Sequence, residues 1–174
     1  MSFAEEILKD SVVNKEGAGV DLATHCAGKI LLLYFSAHWY TQLKNQAIVQ
    51  LNIIKQGWKF FKKRCPPCKD FTPKLARFYT AYHETKNFEV VYVSFDKDKL
   101  EFEEYYKEMP WLAVKYSERD LQESLSDKFQ IEGVPTLVVL NANTGMVLNT
   151  DAYSDCLGDA EGARFPWKCE LDDE

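Results

Sequence analysis

Two cysteines three residues apart, in Cys65-Pro66-Pro67-Cys68, are the residues of this chain best placed to do chemistry. One helical turn brings residues i and i+3 to the same side, so the two thiols can cycle between dithiol and disulfide. The pair stands between an apolar, strand-like run (Lys29 to Ser36) and an amphipathic, helix-like run (Lys69 to His83). A thiol attacks a disulfide only as its thiolate. The start of a helix offers unpaired backbone N–H groups and a partial positive charge. Cys65 at that position is therefore expected to attack, and Cys68 to resolve the mixed disulfide. Pro66 and Pro67 suit the first turn, where a missing N–H costs little.

The other cysteines, Cys26, Cys156 and Cys169, are scattered, and five in all do not make a secreted disulfide framework. A structural zinc site needs four ligands from Cys and His, and His25, His38 and His83 show no paired spacing. No Gly-x-Gly-x-x-Gly nicotinamide fingerprint occurs, and no cofactor is expected. At 174 residues and 46% hydrophobic content the chain reads as one domain with one sizeable core. A net charge of −6 argues against nucleic-acid binding. No run is apolar enough to span a bilayer, and the acidic first ten residues lack a signal-peptide pattern. The expected compartment is the cytoplasm, with the nucleus as a second one. There a Cys-x-x-Cys pair is catalytic or metal-binding rather than structural.

The elements that must position the thiols follow from pattern. Phe3 to Leu8 reads as a short helix, and Gly19 to Leu22 as the start of an edge strand. Ile30 to Phe35 and Phe88 to Phe95 are continuous apolar runs, which mark strands buried on both faces. Phe71, Leu75, Phe78, Tyr79 and Tyr82 fall at helical spacing. Asp98 to Glu108 and Ser117 to Phe129 read as charged amphipathic helices, with Ser117 and Asp120 resembling a capping pair. Thr136 to Leu140 and Met146 to Asn149 form a hairpin around Asn143-Thr144-Gly145. The result is an α/β fold, a central mixed sheet flanked by helices on both faces. Residues 168–174 form an acidic tail, expected to be mobile.

Ile131-Glu132-Gly133-Val134-Pro135-Thr136-Leu137 places a proline just before a late strand. One reading is a proline that merely starts the strand. The other, favoured beside a dithiol, is a cis-proline loop over the thiols. The backbone at Val134 is then free to pair with an extended substrate.

Leu33-Tyr34-Phe35-Ser36-Ala37-His38-Trp39, then Cys65 to Pro73, resemble the tryparedoxin and nucleoredoxin branch of the thioredoxin superfamily. So do Phe88 to Phe95, Met109 to Val114, Val134 to Leu137 and Gly162 to Trp167. The resemblance implies a thioredoxin-like fold and protein-disulfide reductase activity. It implies Cys65 as nucleophile, Cys68 as resolver and Pro135 as the cis-proline. It also implies Trp39 shielding the thiols and Trp111 lining the substrate face. Its partners would be disulfide-bearing proteins and an upstream dithiol reductant of thioredoxin, glutathione or trypanothione type. Tyr34 stands where ordinary thioredoxins carry a buried aspartate, so proton relay through that group is not implied. Lys115 stands where the branch usually has proline.

One departure matters. The branch places tryptophan directly before the first cysteine, whereas here a 25-residue insertion, Tyr40 to Arg64, separates Trp39 from Cys65. The insertion holds six basic residues (Lys44, Lys55, Lys59, Lys62, Lys63 and Arg64) and no Asp or Glu. The remainder of the chain has 15 basic residues against 27 acidic ones, a net −12. Leu43, Ala47, Leu51, Ile54, Trp58 and Phe61 make an apolar stripe, such as a basic amphipathic helix uses on membranes or acidic grooves. On that reading the protein is a catalytically impaired thioredoxin-fold interaction protein. The rival reading is a translated intron. A Trp codon followed by a Tyr codon contains a GT start, and AGG at Arg64 supplies an AG end. Excision would then restore Trp-Cys-Pro-Pro-Cys in frame. Closing a loop of this length costs roughly 3 kcal/mol, which a domain can tolerate.

Overall fold

The computed structural model describes residues 4, 8–38 and 65–169. Segment 40–64, Trp39 and the last five residues lie outside the described residues, as does most of the helix expected at Phe3 to Leu8.

Ile30–Ser36 (β2) is the hinge of the architecture. It runs parallel to Phe88–Ser94 (β3) and antiparallel to Thr136–Asn141 (β5). Flanked on both sides, it can bury both faces, and its continuous apolar run does so. Leu31, Leu33 and Phe35 enter one core, Leu32 and Tyr34 the other. The edges are short: Val12–Val13 (β1), Leu112–Val114 (β4) and Val147–Asn149 (β6). The order is β1-β4-β3-β2-β5-β6.

Pro66–Tyr82 (α2) and Lys99–Tyr106 (α3) cover the face that carries Tyr34. Leu22–His25 (α1) and Arg119–Lys128 (α4) cover the opposite face. A last helix, Tyr153–Gly158 (α5), returns to the first core through Cys156. Helices therefore flank a mixed sheet on both faces, as expected. Helix α2 buries Cys68, Phe71, Thr72, Leu75, Phe78 and Tyr79, the stripe its spacing requires.

Two local expectations are corrected. Gly19 to Leu22 is not an edge strand: Gly19 makes only an isolated bridge to Val13, and Leu22 opens α1. The Asp21 side chain accepts from the Ala23 N–H, and that capping bond favours helix over strand. Ser117 and Asp120 do not form a capping pair, because α4 begins at Arg119 with Glu118 as an N-cap lacking a side-chain bond. Ser117 instead lies 3.5 Å from the Glu118 carboxylate.

Two polar devices tie outer segments to the sheet. Glu89, buried on β3, meets His25 Nε2 at 2.6 Å and accepts from the Tyr79 hydroxyl at 2.8 Å, joining α1 and α2 across the sheet. Asp159 accepts from the backbone of Ala163 and Arg164 and from the Trp167 indole. That turn seats Phe165 and Trp167 beside Phe78. It needs glycine at Gly162, where φ is +65° and a Cβ would lie 2.7 Å from the Phe78 ring.

Burial pushes the Cys26 thiol up to about 12, with Glu89 adding to the effect. Burial followed by Asp159 and Asp155 does the same to Cys156. Below pH 9 both thiols are protonated whether the chain is folded or not, and this contribution is whole. Between pH 9 and 12 the unfolded chain releases these protons and the fold does not. Stability should then fall by ~1.4 kcal/mol per pH unit for each thiol. Urea unfolding of the protein at about pH 8 and pH 10 reads this; equal midpoints would contradict it.

Candidate active site

The chain leaves β2 through Ala37 and His38, and α2 begins at the same end of the sheet. Cys65 is the N-cap of α2, extended at φ −66° and ψ 99°, with Pro66 and Pro67 at the first two helical positions. An N-cap side chain accepts from the N–H of the second or third helical residue. Pro67 has none, so Cys68 at the third position is the first-turn donor left for a Cys65 thiolate. Cys65 and Cys68 form a disulfide with Cα atoms 5.3 Å apart. Cys65 is 1% exposed and borders a narrow cleft with Ala37, His38, Lys69, Tyr105 and Glu108.

A cluster of buried hydroxyls holds the Cys68 end. The Cys68 carbonyl lies 2.9 Å from Thr72 Oγ1 and 3.1 Å from the Tyr105 hydroxyl, and these two hydroxyls meet each other at 2.5 Å, sharing their two protons among three contacts. Tyr34 meets Thr72 at 2.8 Å, and Ser36 meets Tyr105 at 3.3 Å. Burial raises the Tyr34 phenol well above its ordinary range and raises that of Tyr105 as well. Both are neutral hydroxyls, suited to hydrogen bonding and not to carrying charge. The cluster joins β2, α2 and α3 at one carbonyl.

A second buried cluster holds the Cys65 end. The Asp96 carboxyl accepts from the Tyr92 hydroxyl at 2.9 Å, Ser94 Oγ at 3.0 Å and the His38 N–H at 2.6 Å. The His38 carbonyl in turn accepts from the Cys65 N–H at 3.2 Å.

The remaining expected site residues divide. The Val134–Pro135 peptide bond is cis. Phe35 pairs with Thr136 at the last register position of β2 and β5. One step further along that register sets Pro135 opposite Ser36, at the end of the sheet where Cys65 lies. Val134 and Pro135 line an open groove of about 500 Å³ together with Ile131, Glu132, Thr136 and Asp151. Trp111 is corrected: it is 1% exposed and packs edge-on against Tyr34 and Tyr79, so it has no surface to line a substrate face. The apolar sheet face beneath it outcompetes solvent for so large a ring. Trp39 lies outside the described residues.

Thr72, Tyr105 and Asp96 were not singled out from the sequence. Their partners lie far along the chain: Tyr105 is 37 residues from Cys68, and His38 is 58 from Asp96. The available signal was polarity in an apolar setting, with Thr72 inside a buried helix stripe and Asp96 directly after a buried strand.

A dithiol at the head of a helix, beside a cis-proline loop on a mixed sheet, defines a thiol–disulfide exchange domain. Comparison with known proteins narrows the class. The Thioredoxin-like family model matches residues 57–147. A tryparedoxin from Trypanosoma brucei brucei is 39% identical over 140 residues, 80% of each chain. Human nucleoredoxin is 29% identical over 163 residues, 93% of this chain but 31% of that protein. The solved structure of tryparedoxin from Trypanosoma brucei superposes with a TM-score of 0.78 at 36% identity, covering 97% of this chain and all of that one. The chain belongs to the thioredoxin-like family, in its tryparedoxin and nucleoredoxin branch, and is a thiol–disulfide oxidoreductase.

The hydroxyl cluster gives a direct expectation. Tyr105→Phe removes one hydroxyl from the group around the Cys68 carbonyl and leaves Thr72 in place. It should lower stability by about 1–1.5 kcal/mol, or roughly 3–5 °C in Tm for a chain of this size. An unchanged thermal melt would show that the Tyr105 hydroxyl does not brace the site.

Proposed function

We propose that Cys65 is the attacking thiol of a protein-disulfide reductase, Cys68 its resolver, and the Val134–Pro135 loop its substrate cradle. The observation that carries this reading is Cys65 standing as the N-cap of α2, bonded to Cys68 one turn on. In the reduced protein the Cys65 thiolate attacks a substrate disulfide. A mixed disulfide forms and one substrate thiolate leaves. Cys68 then attacks the Cys65 sulfur, the second substrate thiolate leaves, and the Cys65–Cys68 disulfide remains. Two electrons pass to the substrate, and a dithiol donor of thioredoxin, glutathione or trypanothione type restores the pair. An extended substrate segment pairs with the backbone of Val134 and lies in the groove beside Pro135. Cys26 and Cys156, buried and held protonated, take no part.

The working compartment is the cytoplasm, with the nucleus as a second one. No helix among the described residues is long and apolar enough to cross a membrane.

The chain forms one domain, with segment 40–64 as an insertion that the fold does not need. The support is the 3.2 Å bond between the His38 carbonyl and the Cys65 N–H, which joins the two described residues flanking residues 39–64. With 40–64 removed, Trp39 alone would bridge them, and that bond would close a three-residue γ-turn. A second reading, a catalytically impaired form, is favoured by one observation: Cys65 is only 1% exposed.

Insulin disulfide reduction with dithiothreitol separates these readings. It compares the full chain, its Cys65→Ser variant and a chain lacking 40–64. Turnover by the full chain that vanishes in Cys65→Ser is the expected result. Turnover only in the shortened chain would establish the impaired form. Silence in both would refute the reductase.

A further inference from the structure

We propose that Asp96 is a positioning residue for the dithiol: by holding the His38 peptide it sets Cys65 in the geometry that favours the disulfide. This rests on Cys65 and Cys68 being the redox pair, as proposed above.

Asp96 is fully buried two residues beyond the end of β3. Carrying a carboxyl out of water is costly unless its oxygens are met by donors. Here the donors are arranged by function. The Tyr92 and Ser94 hydroxyls come from β3 itself and converge on Oδ2. They fix the carboxyl plane from within its own strand. The other oxygen, Oδ1, accepts the His38 N–H, at 2.6 Å the shortest of these contacts. That bond crosses from β3 to the segment leaving β2, and a backbone N–H meeting a carboxylate is among the stronger hydrogen bonds. The same peptide unit's neighbour, the His38 carbonyl, accepts the Cys65 N–H. Asp96 therefore acts on Cys65 through a chain of two hydrogen bonds with a single residue between them.

The other thiol has its own fixed frame, because Thr72 and Tyr105 hold the Cys68 carbonyl. The separation of the two sulfurs is then governed by two independent grips, one on each cysteine. Intact, they keep Cys65 and Cys68 at bonding range. Releasing the Asp96 grip leaves Cys65 free to move while Cys68 stays, so ring closure loses its entropic advantage and the equilibrium shifts toward the dithiol. His38 also contributes to the cleft wall in front of Cys65, with its ring 5.4 Å from that of Tyr105. Slack at His38 therefore disturbs the approach to the sulfur as well as its position.

Three variants separate this role from plain stabilisation. Asp96→Ser shortens the side chain and withdraws the carboxyl from His38, Tyr92 and Ser94 alike. Asp96→Asn keeps an acceptor at the Oδ1 position. Tyr92→Phe removes a donor to the carboxyl and leaves the His38 bond intact. Each is equilibrated with reduced and oxidised glutathione, and the Cys65–Cys68 disulfide fraction is read by the mass shift on alkylation. Thermal melts run alongside. Asp96→Ser should shift the equilibrium constant about tenfold toward the dithiol, about 30 mV for a two-electron couple. Asp96→Asn should stay within about threefold of the parent. Tyr92→Phe should lower Tm without moving the equilibrium. An Asp96→Ser protein with the parent equilibrium would overturn the proposal, as would a Tyr92→Phe shift of the same size. If Asp96→Ser does not fold, amide exchange at His38 in the unaltered protein decides. A rate differing at least about tenfold between oxidised and reduced forms supports the coupling, and equal rates sink it. The readout is independent of turnover: a parent chain that never forms the Cys65–Cys68 disulfide would instead refute the redox pair itself.

Discussion

Everything at the active site depends on how one helix end is fastened to one strand end. Cys65 is the N-cap of helix α2 and Cys68 stands in its first turn, while the segment leaving β2 meets Cys65 at His38. A helix start is a poor place to anchor by apolar contact alone, since its first N–H groups are unpaired. Two prolines remove two of those donors, which limits the problem but supplies no attachment. The attachment comes from polar groups inside the core, where the low dielectric makes each hydrogen bond count and each missing one costly. The Cys68 carbonyl is held by Thr72 and Tyr105, and the Cys65 N–H by the His38 carbonyl.

This arrangement explains why the sheet face around Tyr34 is so aromatic and yet polar at its rim. Tyr34, Tyr92 and Tyr105 present rings to one another and to Trp111, Phe71 and Phe102, which fills the core with large, rigid surfaces. The Tyr34 and Tyr105 hydroxyls reach Thr72 and the Cys68 carbonyl, and the Tyr92 hydroxyl reaches Asp96. A phenol suits this task better than a carboxyl of similar reach, because burial keeps it neutral and its body contributes packing. Asp96 is a carboxyl that the site does bury, and among the described residues the His38 N–H and the Tyr92 and Ser94 hydroxyls donate to it.

Much of this was legible in the sequence, in proportion to how local the cause is. Strands β2, β3 and β5 are continuous apolar runs, and their extents fall within a residue or two of expectation. Helix α2 announces itself by Phe71, Leu75, Phe78 and Tyr79, whereas the cis peptide at Pro135 is legible only beside the dithiol, since a proline before a strand otherwise reads as its start. The failures have physical reasons. Strands β1 and β4 are two and three residues long and have no period to read. Helix α5 is six residues and owes its place to Cys156 packing on a core built by other elements. Asp21 caps a helix where Gly19 to Leu22 looked extended. The family resemblance sets Trp111 on the substrate face, and nothing nearby in sequence shows the Tyr34 and Tyr79 rings that bury it. Thr72, Tyr105 and Asp96 became visible only once the fold brought distant segments together.

The central claim is that Cys65, and not Cys68, makes the first bond to substrate. A trapping experiment tests it most directly. Reduced Cys68→Ser protein, given an excess of a protein disulfide, should accumulate a stable mixed disulfide. Peptide mass mapping should place that bond at Cys65, and the Cys65→Ser variant should trap nothing. A mixed disulfide that forms at Cys68 in Cys65→Ser, with none at Cys65 in Cys68→Ser, would contradict the account.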